Sequence, residues 1–270
     1  MLSTTRPVGD LLREWRQRRR MSQLDLACEA EISTRHLSFL ETGRSLPSRD
    51  MVLHLADRLD VPLRERNVLL VAAGFAPVFR ERPLGDPALA PARRAVEQVL
   101  AAHEPYPALA VDRHWTLLTA NAAVAPLLAG VDAALLRPPV NVMRLALHPQ
   151  GLAPRIANLA EWRAHLLLRL GRQVELSADP VLTALLRELA AYPAPASARQ
   201  AEQGEAGVVV PFRLRTDACE LAFFSTTTVF GTPVDITLAE LALEAFFPAD
   251  AATAEALRRL CAKAAAGRSG

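Results

Sequence analysis

At 270 residues the chain is long enough for one large domain or two of ordinary size, and 51% apolar residues exclude wholesale disorder. A net charge of +2, from 31 basic and 29 acidic residues, is too small for a uniformly basic nucleic-acid coat. The excess is local, because residues 1–78 hold twelve arginines and ten acids while the remainder is balanced.

Residues 8–76 read as short helices joined by tight turns. Leu11, Leu12, Trp15 and Met21 begin an apolar set, with Arg13, Arg16 and Arg20 on another face. Ser22 is a good N-cap for a helix over 23–29, with Gln23 and Asp25 in its first turn. Glu31-Ile32 make a tight connection, Ser33 caps a third helix over 34–41, and Gly43 closes it. Ser48 then caps a helix over 49–59.

Two helices joined by three or four residues, the second exposing small polar and basic side chains, form the DNA-binding helix-turn-helix arrangement. Leu24, Ala27, Ile32, Leu37 and Leu40 are expected on the internal face that sets the crossing angle. That leaves Ser33, Thr34, Arg35, His36 and Ser38 outward, with Arg44 just beyond. Arg35 is the best base reader, since a guanidinium can grip the O6/N7 edge of guanine with two bonds. Arg16 and Arg20 are expected on DNA phosphates, although a short charge run can equally be a solvated helix end.

The run 21–48 resembles the Cro/phage-repressor (XRE) family, and the resemblance extends over about seventy residues in all. The resemblance rests on Ser22-Gln23, Leu26-Ala27, Ser33-Thr34, Glu41, Gly43 and Pro47. It implies that Gln23 contacts a base or the DNA backbone, and that the third helix enters the major groove of double-stranded DNA.

Pro77, Pro83, Pro87 and Pro91 interrupt any long helix, and charge balance shifts there. The expected division is a DNA-binding domain over 1–78, a linker over 79–92 and a second domain over 93–270. In that domain 108–118 suggests two short strands around Asp112-Arg113, and 121–128 a short helix near Pro126. Apolar positions Leu159, Trp162, Leu166, Leu167 and Leu170 have helical spacing, with Arg163 and Arg169 outside the stripe, and 181–189 repeats the pattern. Residues 193–207 read as a mobile loop, 208–214 and 220–230 as strands, and 239–247 and 253–262 as closing helices. Strands with helices on one side suggest an α+β fold.

Residues 109–121 have the shape of a PAS-domain opening, and 223–250, with 141–149 and 158–167, resemble the ligand-binding domain of MmyB-like regulators. The fold class expected is an all-α helix-turn-helix domain followed by an α+β PAS-like domain. The resemblance implies a pocket between sheet and helices holding a non-covalent, fatty-acid-like ligand. Trp162, Leu166, Phe212 and Phe223 are candidates for the apolar wall, though such stripes more often make ordinary core. Asn141, Arg144, His148, Arg155, Asn158 and Thr226 are candidates for a polar head group.

Nucleotide-binding glycine loops and the Gly-x-Ser-x-Gly elbow are absent from the sequence, and Glu161 with His165 is a single pair that reads as a surface contact. No catalytic residue, metal or cofactor is therefore expected. Cys28, Cys219 and Cys261 are widely spaced, and the longest uncharged run, 116–131, is too short to span a bilayer. A cytoplasmic protein without a membrane segment is expected. Together these features predict a sequence-specific, homodimeric transcription regulator sensing a small amphiphile. The alternatives are an enzyme or acyl-lipid carrier with an appended DNA-binding domain, or a ligand-free dimerisation module.

Overall fold

The computed structural model describes residues 6–193, 210–231 and 233–266 and resolves into two units. Most of the loop expected over 193–207 lies outside the described residues.

The first unit is Met1–Pro83 together with Thr232–Ala239. Its main helices are α1 (Val8–Arg18), α2 (Gln23–Glu29), α3 (Thr34–Glu41), α4 (Arg49–Arg58) and α5 (Leu63–Ala72), with a single helical turn at Ile236–Ala239. Three serines start three of them. The hydroxyls of Ser22, Ser33 and Ser48 each accept the backbone N–H three residues on, at 3.1 Å. Asp25 returns the bond to the Ser22 N–H at 2.8 Å, closing a capping box. Gly43, at φ +72°, ends α3 in the left-handed conformation that glycine adopts without strain.

Leu12, Trp15, Leu26, Ala27, Leu37, Leu40, Val52, Leu55, Leu69 and Leu70 form one core. Leu24 departs from the expected internal face and is 60% exposed. It sits one turn from the buried Ala27 but two positions from Leu26, on the outer side of a helix that buries only Leu26 and Ala27. Gly9 lets α1 approach α3, since a Cβ there would lie 2.5 Å from the Leu40 carbonyl oxygen. Asp235 and Ile236 tie into this unit: the Ile236 N–H donates to the Arg80 carbonyl at 2.8 Å, and the Arg82 guanidinium pairs with the buried Asp235 carboxylate at 3.2 Å.

The second unit is Leu84–Gly231 with Glu240–Gly270. Its helices are α6 (Ala90–Ala102), α7 (Val142–Leu147), α8 (Leu159–Ser177), α9 (Pro180–Ala190) and α10 (Ala251–Ala266). Its strands are β1 (Ala108–Val111), β2 (Leu117–Ala120), β3 (Phe212–Arg215), β4 (Glu220–Val229) and β5 (Ala242–Pro248). They form one sheet in the order β2-β1-β5-β4-β3, with every neighbouring pair antiparallel. This is the α+β architecture expected of the second segment.

One expected element is overturned. Residues 239–247 were expected as a helix, but 242–248 is β5, paired with β1 on one side and β4 on the other. Its leucines, alanines and glutamate favour a helix locally, and strand pairing across more than a hundred residues of sequence overrides that preference. Alternation along β5 then serves two cores. Leu241 and Leu243 pack with Val96 and Leu100 of α6, whereas Ala242 and Phe246 face the larger core under α7, α8 and α9. Helices thus cover both sheet faces rather than one.

Candidate nucleic-acid interface and ligand cavity

The short connection after α2 and the Ser33 cap leave the first turn of α3 uncovered. Thr34 and Arg35 are exposed, while His36 and Ser38 are half-buried. Arg35 and Arg44, from the end of the motif, place their guanidinium carbons 5.3 and 5.8 Å from the Phe39 ring centroid. One half-buried aromatic ring therefore orients two exposed cations on the same face. Phe39 was not among the expected site residues; its three-residue distance from His36 and four from Arg35 was the available signal. Ser33 uses its hydroxyl as the helix cap, and Arg20 is exposed at the end of α1.

Arg16 and Gln23 are used otherwise than expected. Arg16 is 8% exposed and grips Glu41 with two bonds of 2.6 and 2.9 Å, while donating a third to the Met21 carbonyl at 2.8 Å. The Gln23 amide donates to the same Glu41 carboxylate at 2.8 Å. Burying Glu41 demands these donors, which ties α1, the start of α2 and the end of α3 together. Arg16 is a structural cation of the head, not an outward phosphate ligand.

In the second unit a cavity of about 110 Å³ lies between the sheet and the helices α7 and α8. Trp162 and Leu166 of α8, Phe212 of β3, Phe223 of β4 and Phe246 of β5 supply apolar wall, joined by Trp115, Met143 and Leu127. One end is polar. Arg169 donates to Glu244 at 2.5 and 3.1 Å and to the Thr227 hydroxyl at 2.7 Å, and Thr227 itself donates to Glu244 at 2.9 Å. The Arg169 guanidinium also lies 4.5 Å from the Trp115 ring centroid, whose indole N–H is held by Gln173 at 2.7 Å. His165 stacks on Trp162 at 5.3 Å between centroids. Burial, with help from Arg169 and Arg172 and against the pull of Glu244, holds its imidazole pKa below the ordinary value.

A family model for the MmyB-like transcription regulator ligand binding domain matches residues 92–260, more than half of the chain, and a helix-turn-helix domain model matches residues 7–69. The chain belongs to the MmyB-like transcription regulators. It combines a DNA-binding helix-turn-helix with a ligand-binding domain, the composition of a ligand-sensing transcription regulator. No curated protein matches it. Among the described residues there is no cluster that could hold a metal ion and no helix long and apolar enough to cross a membrane.

Of the expected ligand residues of this MmyB-like domain, Trp162, Leu166, Phe212 and Phe223 come together in the cavity wall. The expected head-group residues do not, because local partners claim them. Arg144 pairs with Glu188 through two 2.7 Å bonds, and Arg155 donates to the carbonyls of Leu127, Ala129 and Arg215. Asn141 caps α7 and donates to the His114 carbonyl, while Asn158 donates to that of Pro211. His148 accepts the Gln150 N–H and packs edge-on against Tyr192. Thr226 lies on β4 next to the cavity-lining Ser225, so alternation turns it to the other face. The cation at the cavity is instead Arg169. Its spacing from Trp162 and Leu166, seven and three residues, was visible in the sequence.

Proposed function

We propose that this regulator is a sequence-specific, homodimeric DNA-binding protein whose second domain binds a single-chain amphiphile with a fatty-acyl tail, without catalysis or a further cofactor. The observation carrying the ligand reading is the apolar cavity with one polar end, walled by three phenylalanine-bearing strands, Trp115 and α8. Two α3 helices would then enter successive major grooves about 34 Å apart on one DNA face, with Arg35 and Arg44 turned to the duplex. As a DNA-binding regulator it works in the compartment that holds the DNA, the cytoplasm.

Size bears on the ligand. An apolar cavity of about 150 Å³ accepts benzene. At about 110 Å³ this one suits a short chain, and an acid of C12–C18 requires its walls to part. Each methylene taken from water contributes about 0.8 kcal/mol, so six supply about 5 kcal/mol before the costs of binding. The response has a covalent route as well. Strands β4 and β5, which contribute Phe223, Ser225, Glu244 and Phe246 to the wall, are joined through Thr232–Ala239, a segment belonging to the first unit. A ligand that favours one arrangement of these strands shifts the DNA-binding population by its differential affinity, and by no more.

Denaturing extraction and mass spectrometry of the purified chain tests the ligand class. Recovery of a stoichiometric acyl-chain compound supports it. A clean extract, together with no thermal stabilisation by added C6–C18 acids, esters or alcohols, contradicts it and leaves the DNA-binding reading standing.

A further inference from the structure

The cavity states the charge of what it binds. Besides its two indoles, its wall carries three polar side chains among the described residues, Arg169, Ser225 and Glu244. The two charged ones are matched to each other. Glu244 is 4% exposed and accepts two bonds from Arg169, at 2.5 and 3.1 Å, and one from the Thr227 hydroxyl at 2.9 Å, which itself accepts from Arg169. The Arg169 cation is further occupied by the Trp115 ring. A carboxylate entering here loses its water and meets a compensated ion pair whose buried anion repels it. A neutral head group meets no such cost.

A second observation supplies its recognition. Trp162 is 5% exposed, and its indole N–H has no acceptor among the described residues. A buried donor left unmade is costly, and in a wall residue the missing partner can come from the ligand. The Trp115 indole, by contrast, is satisfied by Gln173.

We infer that the ligand is an uncharged amphiphile bearing a hydrogen-bond acceptor, such as an ester, lactone or amide of a short acyl chain, whose oxygen accepts the Trp162 Nε1–H. This rests on the amphiphile reading above and fixes the charge and polarity of the head. Selection arises from the internal Arg169–Glu244 pair, which denies the cavity a spare cation, and from Trp162, which rewards an acceptor.

The test compares methyl octanoate, octanoate and octane on the full-length chain at pH 8, by calorimetry and by the side-chain N–H signals of the three tryptophans. The ester should bind about tenfold or more tighter than the ionised acid. It should move the Trp162 indole signal downfield, assigned by its loss in Trp162→Phe, and octane should leave that signal near its free position. Trp162→Phe, which keeps a ring in the wall, should weaken the ester about three- to tenfold and octane hardly at all. Should the variant fail to fold, the wild-type comparison of acid and ester, with the indole shift, decides alone. Octanoate binding as tightly as the ester, or an unmoved indole signal with ester bound, overturns the neutral-head inference and leaves the amphiphile reading intact. Failure of all three probes to bind overturns both.

Discussion

Replacing Arg16 by alanine removes the main partner of an almost fully enclosed carboxylate. The Glu41 side chain is 1% exposed and that of Arg16 9%. The change deletes two charge-assisted bonds to Glu41 and the one to the Met21 carbonyl, leaving Glu41 only the Gln23 amide at 2.8 Å. Removing one member of a buried ion pair costs about 3–5 kcal/mol, because the remaining charge stays buried. That is a large share of the stability of a small helical unit, which for whole domains is about 5–15 kcal/mol. Urea unfolding followed by far-ultraviolet circular dichroism should show an early transition in Arg16→Ala. Arg16→Met combined with Glu41→Leu removes both charges and should recover most of the loss. Should Arg16→Ala unfold like the wild type while its DNA affinity drops and the salt dependence flattens by one phosphate, Arg16 is a phosphate ligand and the structural assignment is wrong.

Gly9→Ala gains about 1 kcal/mol of helix propensity but sets a Cβ against the Leu40 and Glu41 carbonyls, so a net loss of up to ~2 kcal/mol is expected; an unchanged urea midpoint would refute the tight α1–α3 approach. Arg35→Ala should cost about 1–3 kcal/mol of DNA binding and relax base preference at one position, and an unaltered selection from a random-sequence library would show the register of α3 to be misassigned. His165 holds a depressed pKa in the fold, so its contribution to stability is complete above about 6.5, the ordinary value, and is lost as pH falls through that value towards the lower folded one. His165→Gln should flatten this dependence; an identical pH profile in the variant would show that the imidazole does not titrate with unfolding.

The DNA-binding head was legible because its signals are local. Ser22, Ser33, Ser48 and Gly43 mark helix ends through bonds spanning three or four residues, and the α2 and α3 boundaries were expected where they occur. What the sequence concealed is set by distant partners. Arg16 reads as part of a basic run until Glu41, twenty-five residues on, is seen to bury against it. The helix-like stretch around Glu244 becomes a central strand only through β1 and β4. Glu244 reaches the cavity only because its segment is a strand, and Arg169 finds its partner only there. The apolar walls were found by periodicity, whereas the polar end needed residues from α8, β4 and β5 together.

The central claim is that occupancy of the cavity changes DNA binding. Its most direct test is the affinity of the delipidated full-length chain for a library-selected duplex, measured by fluorescence anisotropy with and without saturating methyl octanoate. A shift of at least about fivefold is expected, the lower range of allosteric coupling, abolished when Leu166→Trp fills the cavity. Superimposable isotherms, with binding of the ester confirmed by calorimetry, would contradict it.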